Sequence, residues 1–148
     1  MNRTFDSEVI LIEDNPNDAE LTIRAIKKQV VGIKIHHLKD GEEAMKYLFD
    51  DHLQVHKHHI FRVKVILLDL KLPKIMGLEI LKELKENQET AQIPVIILSS
   101  SREDKDIIAA YRYGVNGYIV KPVIYEEYAE AIQNAARYWL FTNETIRT

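Results

Sequence analysis

Five short β-branched runs alternate with five amphipathic helical patterns along the chain, and this alternation constrains the fold more than any other feature. The first, third and fourth runs are continuously apolar, which is typical of strands buried on both faces of a parallel sheet. The alternation therefore predicts a doubly wound α/β domain with a five-stranded parallel sheet and five flanking helices. The predicted strands cover residues 9–12, 34–38, 63–68, 95–98 and 117–120.

Turn and cap residues support the helices predicted between these runs. Pro16 suits the first turn of the first helix, where its missing N–H carries no penalty. Gly114 suits a left-handed cap at the end of the fourth helix. The apolar positions at helical spacing are Ala19, Ile23, Ile26 and Val30; Ala44 and Leu48; Leu78, Leu81 and Leu84; Ile107, Ile108 and Tyr111; and Tyr128, Ile132, Ala135 and Trp139.

The composition is that of an ordinary soluble domain. A chain of 148 residues suffices for one hydrophobic core, and its net charge of -3 argues against a general nucleic-acid binder. The absence of cysteine excludes a disulfide scaffold, thiol catalysis and zinc sites built on thiolates. No stretch resembles a signal peptide or is long enough to span a bilayer. We therefore expect a cytoplasmic protein with neither a membrane nor a nucleic acid as its direct partner.

Polar residues with chemical potential follow four of the predicted strands. Glu13 and Asp14 follow the first strand, Asp69 the third, Ser99 the fourth and Lys121 the fifth. Each alone has a simpler explanation, such as a helix cap, a turn hydroxyl or a solvated charge. Their conjunction is harder to obtain by chance, because function collects at the carboxyl ends of strands in a doubly wound sheet. We expect the five side chains to share one crevice.

This set of residue types predicts a phosphoryl-transfer site. Three neighbouring carboxylates repel one another unless a cation compensates their charge. With oxygen ligands alone, a hard cation such as Mg²⁺ is expected. A lysine and a serine hydroxyl can bind phosphoryl oxygens, while a carboxylate acts as the nucleophile.

Four motifs in order resemble the receiver domain of two-component response regulators. They span about residues 8 to 140, nearly the whole chain, and the ordered set is far more specific than any member. The resemblance implies a flavodoxin-like sheet with strand order 2-1-3-4-5. The motifs are LIEDN at 11–15, LLDLKLP at 67–73 with Gly77, IPVIILS at 93–99 and GVNGYIVKP at 114–122.

The resemblance implies a role for each residue around the metal. Asp69 matches the aspartate that accepts a phosphoryl group from a histidine kinase. Asp14 matches the direct Mg²⁺ ligand, and Glu13 matches a neighbouring acid that acts through water. At Lys71 the family uses the backbone carbonyl as a metal ligand, so the side chain there is free to vary.

The resemblance also implies a conformational switch. Ser99 matches the hydroxyl residue that follows the phosphoryl group, and Lys121 matches the family's site lysine, with a cis bond to Pro122. Tyr118 matches the aromatic residue that changes rotamer on activation. The surface formed by helix 4, strand 5 and helix 5 is expected to change shape and to bind a protein partner. On this reading the domain binds partners and is not an enzyme that turns over a metabolite.

Three further features are similar to stand-alone receivers of the phytochrome type, which makes a phytochrome a candidate kinase. They are the DLKLP sequence at 69–73, the long segment 50–62 and the aromatic end at 138–140. Glu13 departs from the aspartate that many relatives have, but it keeps the charge.

We expect residues 1–148 to form a single receiver domain with an extended last helix and a short tail. We expect no output domain after Thr142, so the chain is predicted to act through other proteins or by homodimerisation. The last helix carries more aromatic residues than one core-facing stripe needs, and exposed aromatic residues favour an interface. Tyr128 is explained as a core residue; for Tyr138, Trp139 and Phe141 an interface is preferred over capping of the core.

Other functions fit the sequence less well. A phosphatase with an aspartate nucleophile usually carries a second acid two residues later, where this chain has Lys71. A dinucleotide-binding module needs a glycine-rich turn after the first strand, but residues 13–16 are acidic and lack glycine. A pseudo-receiver would have lost part of the acidic cluster or the lysine. The histidine-rich stretch 52–59 lacks metal-ligand spacing and is interpreted as a solvated loop.

Overall fold

Five parallel strands form one sheet, and their order, 2-1-3-4-5, is the predicted one. The computed structural model describes residues 8–49, 62–122 and 124–144, so the histidine-rich stretch 52–59 lies outside the described residues. The strands are β1 (Glu8–Ile12), β2 (Lys34–Leu38), β3 (Val63–Leu68), β4 (Val95–Ser99) and β5 (Gly117–Val120).

Within the described residues, five helices connect and follow the strands, as predicted, and local residues define their ends. The side chain of Asn15 accepts hydrogen bonds from two backbone N–H groups of the first helical turn, and Pro16 is the first helical residue. Gly114, just beyond the fourth helix, has a φ of 93°, which confirms its left-handed role. The helices are α1 (Pro16–Gln29), α2 (Gly41–Phe49), α3 (Gly77–Glu86), α4 (Asp104–Arg112) and α5 (Tyr125–Arg137), and a π-helical turn (Tyr138–Thr142) extends α5.

Alternate residues of the central strands enter two separate apolar cores, one on each face of the sheet. Ile10 and Ile66 pack in the core that α2, α3 and α4 cover. Val9 and Val65 pack in the core that α1, α5 and the π-helical turn cover. Because both faces of the sheet are covered, the residues that point to either face must be apolar. This explains the continuous apolar runs of the sequence.

The apolar residues of α4 face solvent to an unexpected extent. Ile108 is 50% exposed and Tyr111 is 54% exposed, whereas Ala110 is fully buried. The helix itself is predicted correctly, but two of the three residues that mark it lie on its outer side. In α5 the buried stripe contains Tyr128 and Ile132, as predicted.

The connections place the carboxyl ends of all five strands along one edge of the sheet. This edge is the floor of the candidate site described next, because the sequence continues from it with acidic and hydroxyl residues. Among the described residues, no helix combines the length and the apolar character that crossing a membrane requires.

Candidate functional site

Backbone hydrogen bonds hold the first residue after each of three strands in line with the sheet. The amide of Glu13 donates to the Leu38 carbonyl at 3.1 Å, and the amide of Asp69 donates to the Ile12 carbonyl at 3.0 Å. The amide of Lys121 bonds across the same edge to β4 at 2.8 Å. The sheet thus fixes the backbone from which three site side chains project.

Lys121 lies at the centre of the site, where its ammonium contacts three carboxylates. Its Nζ lies 2.5 Å from Glu13 Oε1, 3.1 Å from Asp18 Oδ2 and 3.3 Å from Asp69 Oδ2. The side chains of Lys121 and Asp69 are nearly buried, and that of Glu13 is 1% exposed. The sequence prediction that Glu13, Asp69 and Lys121 meet is confirmed by these contacts.

Asp14 completes a group of acidic side chains that fits a hard divalent cation. Glu13, Asp14 and Asp69 each offer a carboxylate oxygen, and these oxygens lie within 4.8 Å of one another. Asp14 is exposed, so the group is open to solvent on one side. Three carboxylates outnumber the one ammonium between them, which favours a cation with oxygen ligands.

Burial and charge shift the acid–base behaviour of the buried pair. Burial, reinforced by the hydrogen bond and charge of Asp69, raises the pKa of Glu13 to about 8 although Lys121 opposes the shift. Burial alone lowers the pKa of Lys121, but the Glu13 hydrogen bond and the charges of Asp69 and Glu13 raise it above its ordinary value. The surroundings therefore favour the protonated form of Lys121 and disfavour the ionised form of Glu13.

The β3–α3 loop folds tightly around Asp69. The amide of Lys71 donates to Asp69 Oδ1 at 3.1 Å, and the Lys71 side chain is exposed. The amide of Gly77 closes the loop on the Leu70 carbonyl at 3.0 Å. A Cβ atom at Gly77 would lie 2.3 Å from the Asp69 carbonyl oxygen, so only glycine fits there.

Ser99 and Tyr118 both bond to the segment after β4. Ser99 is fully buried, and its Oγ accepts from the Ser101 amide at 3.1 Å. The Tyr118 hydroxyl donates to the Ser101 carbonyl at 3.0 Å, and its ring packs against the core. Ser101 Oγ in turn donates to Asp106 Oδ2 at 2.5 Å. One segment thus links the two predicted switch residues to α4.

A family profile described as the response regulator receiver domain matches residues 9–133. The chain belongs to this receiver family. The match covers β2 to β5 and α1 to α4 completely and β1 from its second residue, together with the acidic residues, the serine and the lysine of the site. It agrees with the motif order on which the sequence prediction depends.

Similar receivers include regulators associated with phytochromes. The probable methanogenesis regulatory protein FilR2 of Methanothrix harundinacea (strain 6Ac) is 33% identical over 138 residues, which cover 93% of this chain and 86% of FilR2. The phosphorylated cyanobacterial phytochrome response regulator RcpA has a TM-score of 0.84 and 32% identity, covering 94% of this chain and 97% of RcpA. The Mn(2+)-bound form of response regulator Rcp1 has a TM-score of 0.84 and 31% identity, covering 95% and 99%. These likenesses confirm the predicted sub-family resemblance.

One expectation drawn from the receiver resemblance is wrong in this structure. The described residues contain no cis peptide bond, so the bond between Lys121 and Pro122 is trans. The intrinsic preference for trans before proline is only about 0.5–1 kcal/mol, so sequence alone does not decide the isomer.

Two residues of the receiver site were not predicted from the sequence. Asp18 contacts Lys121 from the first turn of α1, and His37 Nε2 donates to the Glu13 carbonyl at 2.8 Å from the edge strand β2. Asp18 follows Asp14 by four positions at the start of a helix, and this spacing was the available signal. The strand pattern of β2 gave no signal for His37, because its contact depends on a side chain reaching past the strand end.

Proposed function

We propose that this receiver accepts a phosphoryl group on Asp69 from the phosphohistidine of a sensor histidine kinase, in a Mg²⁺-dependent reaction. The observation that carries the proposal is the contact of Lys121 with both Asp69 and Glu13 in a nearly buried acidic pocket. The phosphorylated state of the similar RcpA supports it.

Glu13, Asp14 and Asp69 are the residues that would hold the cation, with the backbone carbonyl of Lys71 as a further ligand. The oxygen-only donor set fits Mg²⁺, and the Mn(2+)-bound form of Rcp1 supports a divalent ion at such a site. When bound, the ion supplies positive charge that offsets the developing charge on the transferring phosphoryl oxygens.

The chain's own residues position the nucleophile and balance its charge. A carboxylate oxygen of Asp69 forms a bond to phosphorus while the bond from phosphorus to the donor's imidazole nitrogen breaks, and the imidazole leaves. The Lys71 amide and the Lys121 ammonium hold the Asp69 carboxylate in a fixed orientation before the reaction. Lys121 then donates to a phosphoryl oxygen.

We infer that the output is a change in protein binding. Ser99 would leave the Ser101 amide and turn towards the phosphoryl group, and Tyr118 would follow through the same segment. Because Ser101 also bonds to α4, this shift would alter the surface of α4, β5 and α5. We propose that residues 1–148 act as a single cytoplasmic receiver domain that forms homodimers through this surface, with a phytochrome as candidate kinase. It is proposed not to be an enzyme with a metabolite substrate.

The proposal is tested by incubating the protein with a small phosphodonor and Mg²⁺, followed by intact-protein mass spectrometry. The wild-type chain is expected to gain one phosphoryl group, and Asp69→Asn is expected to gain none. Asp104→Asn, which alters an exposed carboxylate in the first turn of α4 outside the contacts of Lys121, is the matched control and retains phosphorylation. Undiminished phosphorylation of Asp69→Asn would show that the acceptor is another residue.

A further inference from the structure

The Lys121 ammonium contacts three carboxylates, and one of them does not belong to the acidic group that could bind a cation. In the described part of the chain, that group consists of Glu13, Asp14 and Asp69. Asp18 is not a member, yet its Oδ2 lies 3.1 Å from the Lys121 ammonium. Two of the carboxylates that contact Lys121 therefore belong to the metal group, and the third, that of Asp18, does not.

The ammonium and a divalent cation compete for the same oxygens. A lysine ammonium has three N–H donors, and each of its three carboxylate partners can take one. A cation bound to Glu13 and Asp69 draws these carboxylates towards itself and repels Lys121. The Lys121 side chain is 12% exposed, so leaving its charge without a partner would be unfavourable.

Asp18 is suited to hold the displaced ammonium because α1 fixes its backbone independently of the acceptor loop. Its amide donates to the Asn15 side chain at 3.1 Å, and its carbonyl accepts from Thr22 Oγ1 at 2.8 Å. Its side chain is 35% exposed, which is more than that of any other carboxylate on Lys121. Neither of these backbone contacts is made to a member of the metal group.

We propose that Asp18 is a positioning residue that retains the Lys121 ammonium when a divalent cation binds Glu13 and Asp69. The inference rests on the metal site of the proposed function. It makes the lysine and the cation compatible in one pocket: Asp18 lowers the penalty of displacing Lys121 and keeps it close to the acceptor for contact with a phosphoryl oxygen.

The first test measures Mn²⁺ affinity by electron paramagnetic resonance of the free ion. Asp18→Asn is expected to bind Mn²⁺ about two- to fivefold more weakly than wild type, the effect of losing a partly exposed ion pair. A charge-swap variant, N17D combined with D18N, keeps the net charge and moves the carboxylate one residue away from Lys121. Equally weak binding by the charge-swap variant supports positioning, whereas recovery of wild-type affinity would show a general charge effect and overturn the proposal.

The second test is a double-mutant cycle with Lys121→Met, which removes the competing ammonium. In that background, Asp18→Asn is expected to change Mn²⁺ affinity by less than about twofold. The same loss with and without Lys121 would overturn the proposal, because Asp18 would then act directly on the ion. If Lys121→Met does not fold, as judged by circular dichroism, the charge-swap comparison decides alone.

Mn²⁺ binding by the wild-type chain distinguishes an error in the metal site from an error in the role of Asp18. If wild type does not bind Mn²⁺, the proposed metal site is wrong and the role of Asp18 is wrong with it. If wild type binds Mn²⁺ and Asp18→Asn binds it equally well, only the role of Asp18 is overturned.

Discussion

At the scale of single residues, Glu13 strongly influences the chemistry of the pocket, although it lies far from the proposed acceptor Asp69 in the sequence. Glu13 is almost fully buried, bonds to Lys121 and lies beside Asp69. Burial and the Asp69 carboxylate oppose its ionisation, whereas a divalent cation favours it. Protonation of Glu13 and metal binding are therefore competing events in one pocket.

This competition predicts a pH-dependent metal affinity. Since the pKa of Glu13 is raised to about 8, the side chain is largely protonated at lower pH in the absence of a cation, and Mg²⁺ must displace that proton. Mg²⁺ affinity should rise as pH rises towards about 8, approaching about tenfold per pH unit, and level off above that pKa. Isothermal titration calorimetry in buffers of different ionisation enthalpy counts the released proton.

Glu13→Gln is the control, because it should flatten the pH dependence while binding the ion more weakly. An affinity of the wild-type chain that does not change over the pH unit below the Glu13 pKa would contradict the prediction.

A second residue-scale prediction concerns Gly77. An added Cβ would lie 2.3 Å from the Asp69 carbonyl oxygen and 2.6 Å from Leu70 Cα, which are backbone atoms that cannot move aside independently. Gly77→Ala is expected to lower the free energy of unfolding by about 3 kcal/mol. Gly114→Ala, at a φ of 93° but with its nearest neighbour 3.5 Å away on a flexible lysine, should lower it by about 1 kcal/mol. Urea denaturation compares the two, and equal losses would refute the steric argument.

At the scale of elements, α1 and α5 are joined by a buried polar contact as well as by apolar packing. Tyr128 of α5 donates its hydroxyl hydrogen to Thr22 Oγ1 of α1, and Thr22 donates in turn to the Asp18 carbonyl. Both side chains are buried, at 4% and 0% exposure. The chain of hydrogen bonds ends at the residue that holds Lys121, so the packing of these two helices also supports the site.

Removing the two ends of this contact should have unequal effects. Tyr128→Phe leaves Thr22 with its bond to the Asp18 carbonyl, and the expected loss in the free energy of unfolding is about 1 kcal/mol. Thr22→Val leaves the buried Tyr128 hydroxyl without its acceptor, and the expected loss is about 2 kcal/mol. Urea denaturation of both variants measures the difference. A larger loss for Tyr128→Phe would contradict the assigned donor and acceptor.

At the scale of the whole molecule, the sequence is sufficient to predict the fold and most of the site, for a shared physical reason. Parallel strands buried on two faces require continuous apolar runs, and the carboxyl ends of such strands share one edge. Glu13, Asp69 and Lys121 could therefore be placed together from their positions after strands. The spacing of Asp18 from Asp14 does not suffice to predict its contact with Lys121, because that contact also depends on the rotation of α1 and on the direction of a long lysine side chain.

The orientation of α4 could not be predicted from the sequence, for a related reason. Its apolar spacing is compatible with a core-facing helix, but Ala110 is its one buried residue, and Ile108 and Tyr111 are about half exposed. The same applies to the C-terminal aromatic residues: Trp139 packs partly against the core, whereas Tyr138 and Phe141 are about half exposed. Periodicity predicts that a helix has an apolar side, but it does not distinguish a core from an interface.

These exposed side chains make the proposed homodimer testable. The strand order places β5 at one edge of the sheet, with α4 on one face and α5 on the other. Ile108 and Tyr111 on α4, together with Tyr138 and Phe141 beyond α5, are 49–54% exposed. Sedimentation velocity over a range of concentrations should show reversible self-association of the wild-type chain in at least one phosphorylation state. Replacing Ile108 and Tyr111 by serine should weaken the dimer by about tenfold or more.

The control is Val31→Ser, which alters a side chain that is 85% exposed just before β2, the opposite edge strand, and should leave association unchanged. Because Val31 is 85% exposed, Val31→Ser should change the free energy of unfolding by no more than about 0.5 kcal/mol. A chain that sediments as a monomer at every concentration, with and without phosphorylation, would rule out the homodimer. A dimer that is unaffected by the Ile108 and Tyr111 substitutions would place the interface elsewhere, since two apolar side chains at the centre of a contact cannot become polar without lowering its affinity.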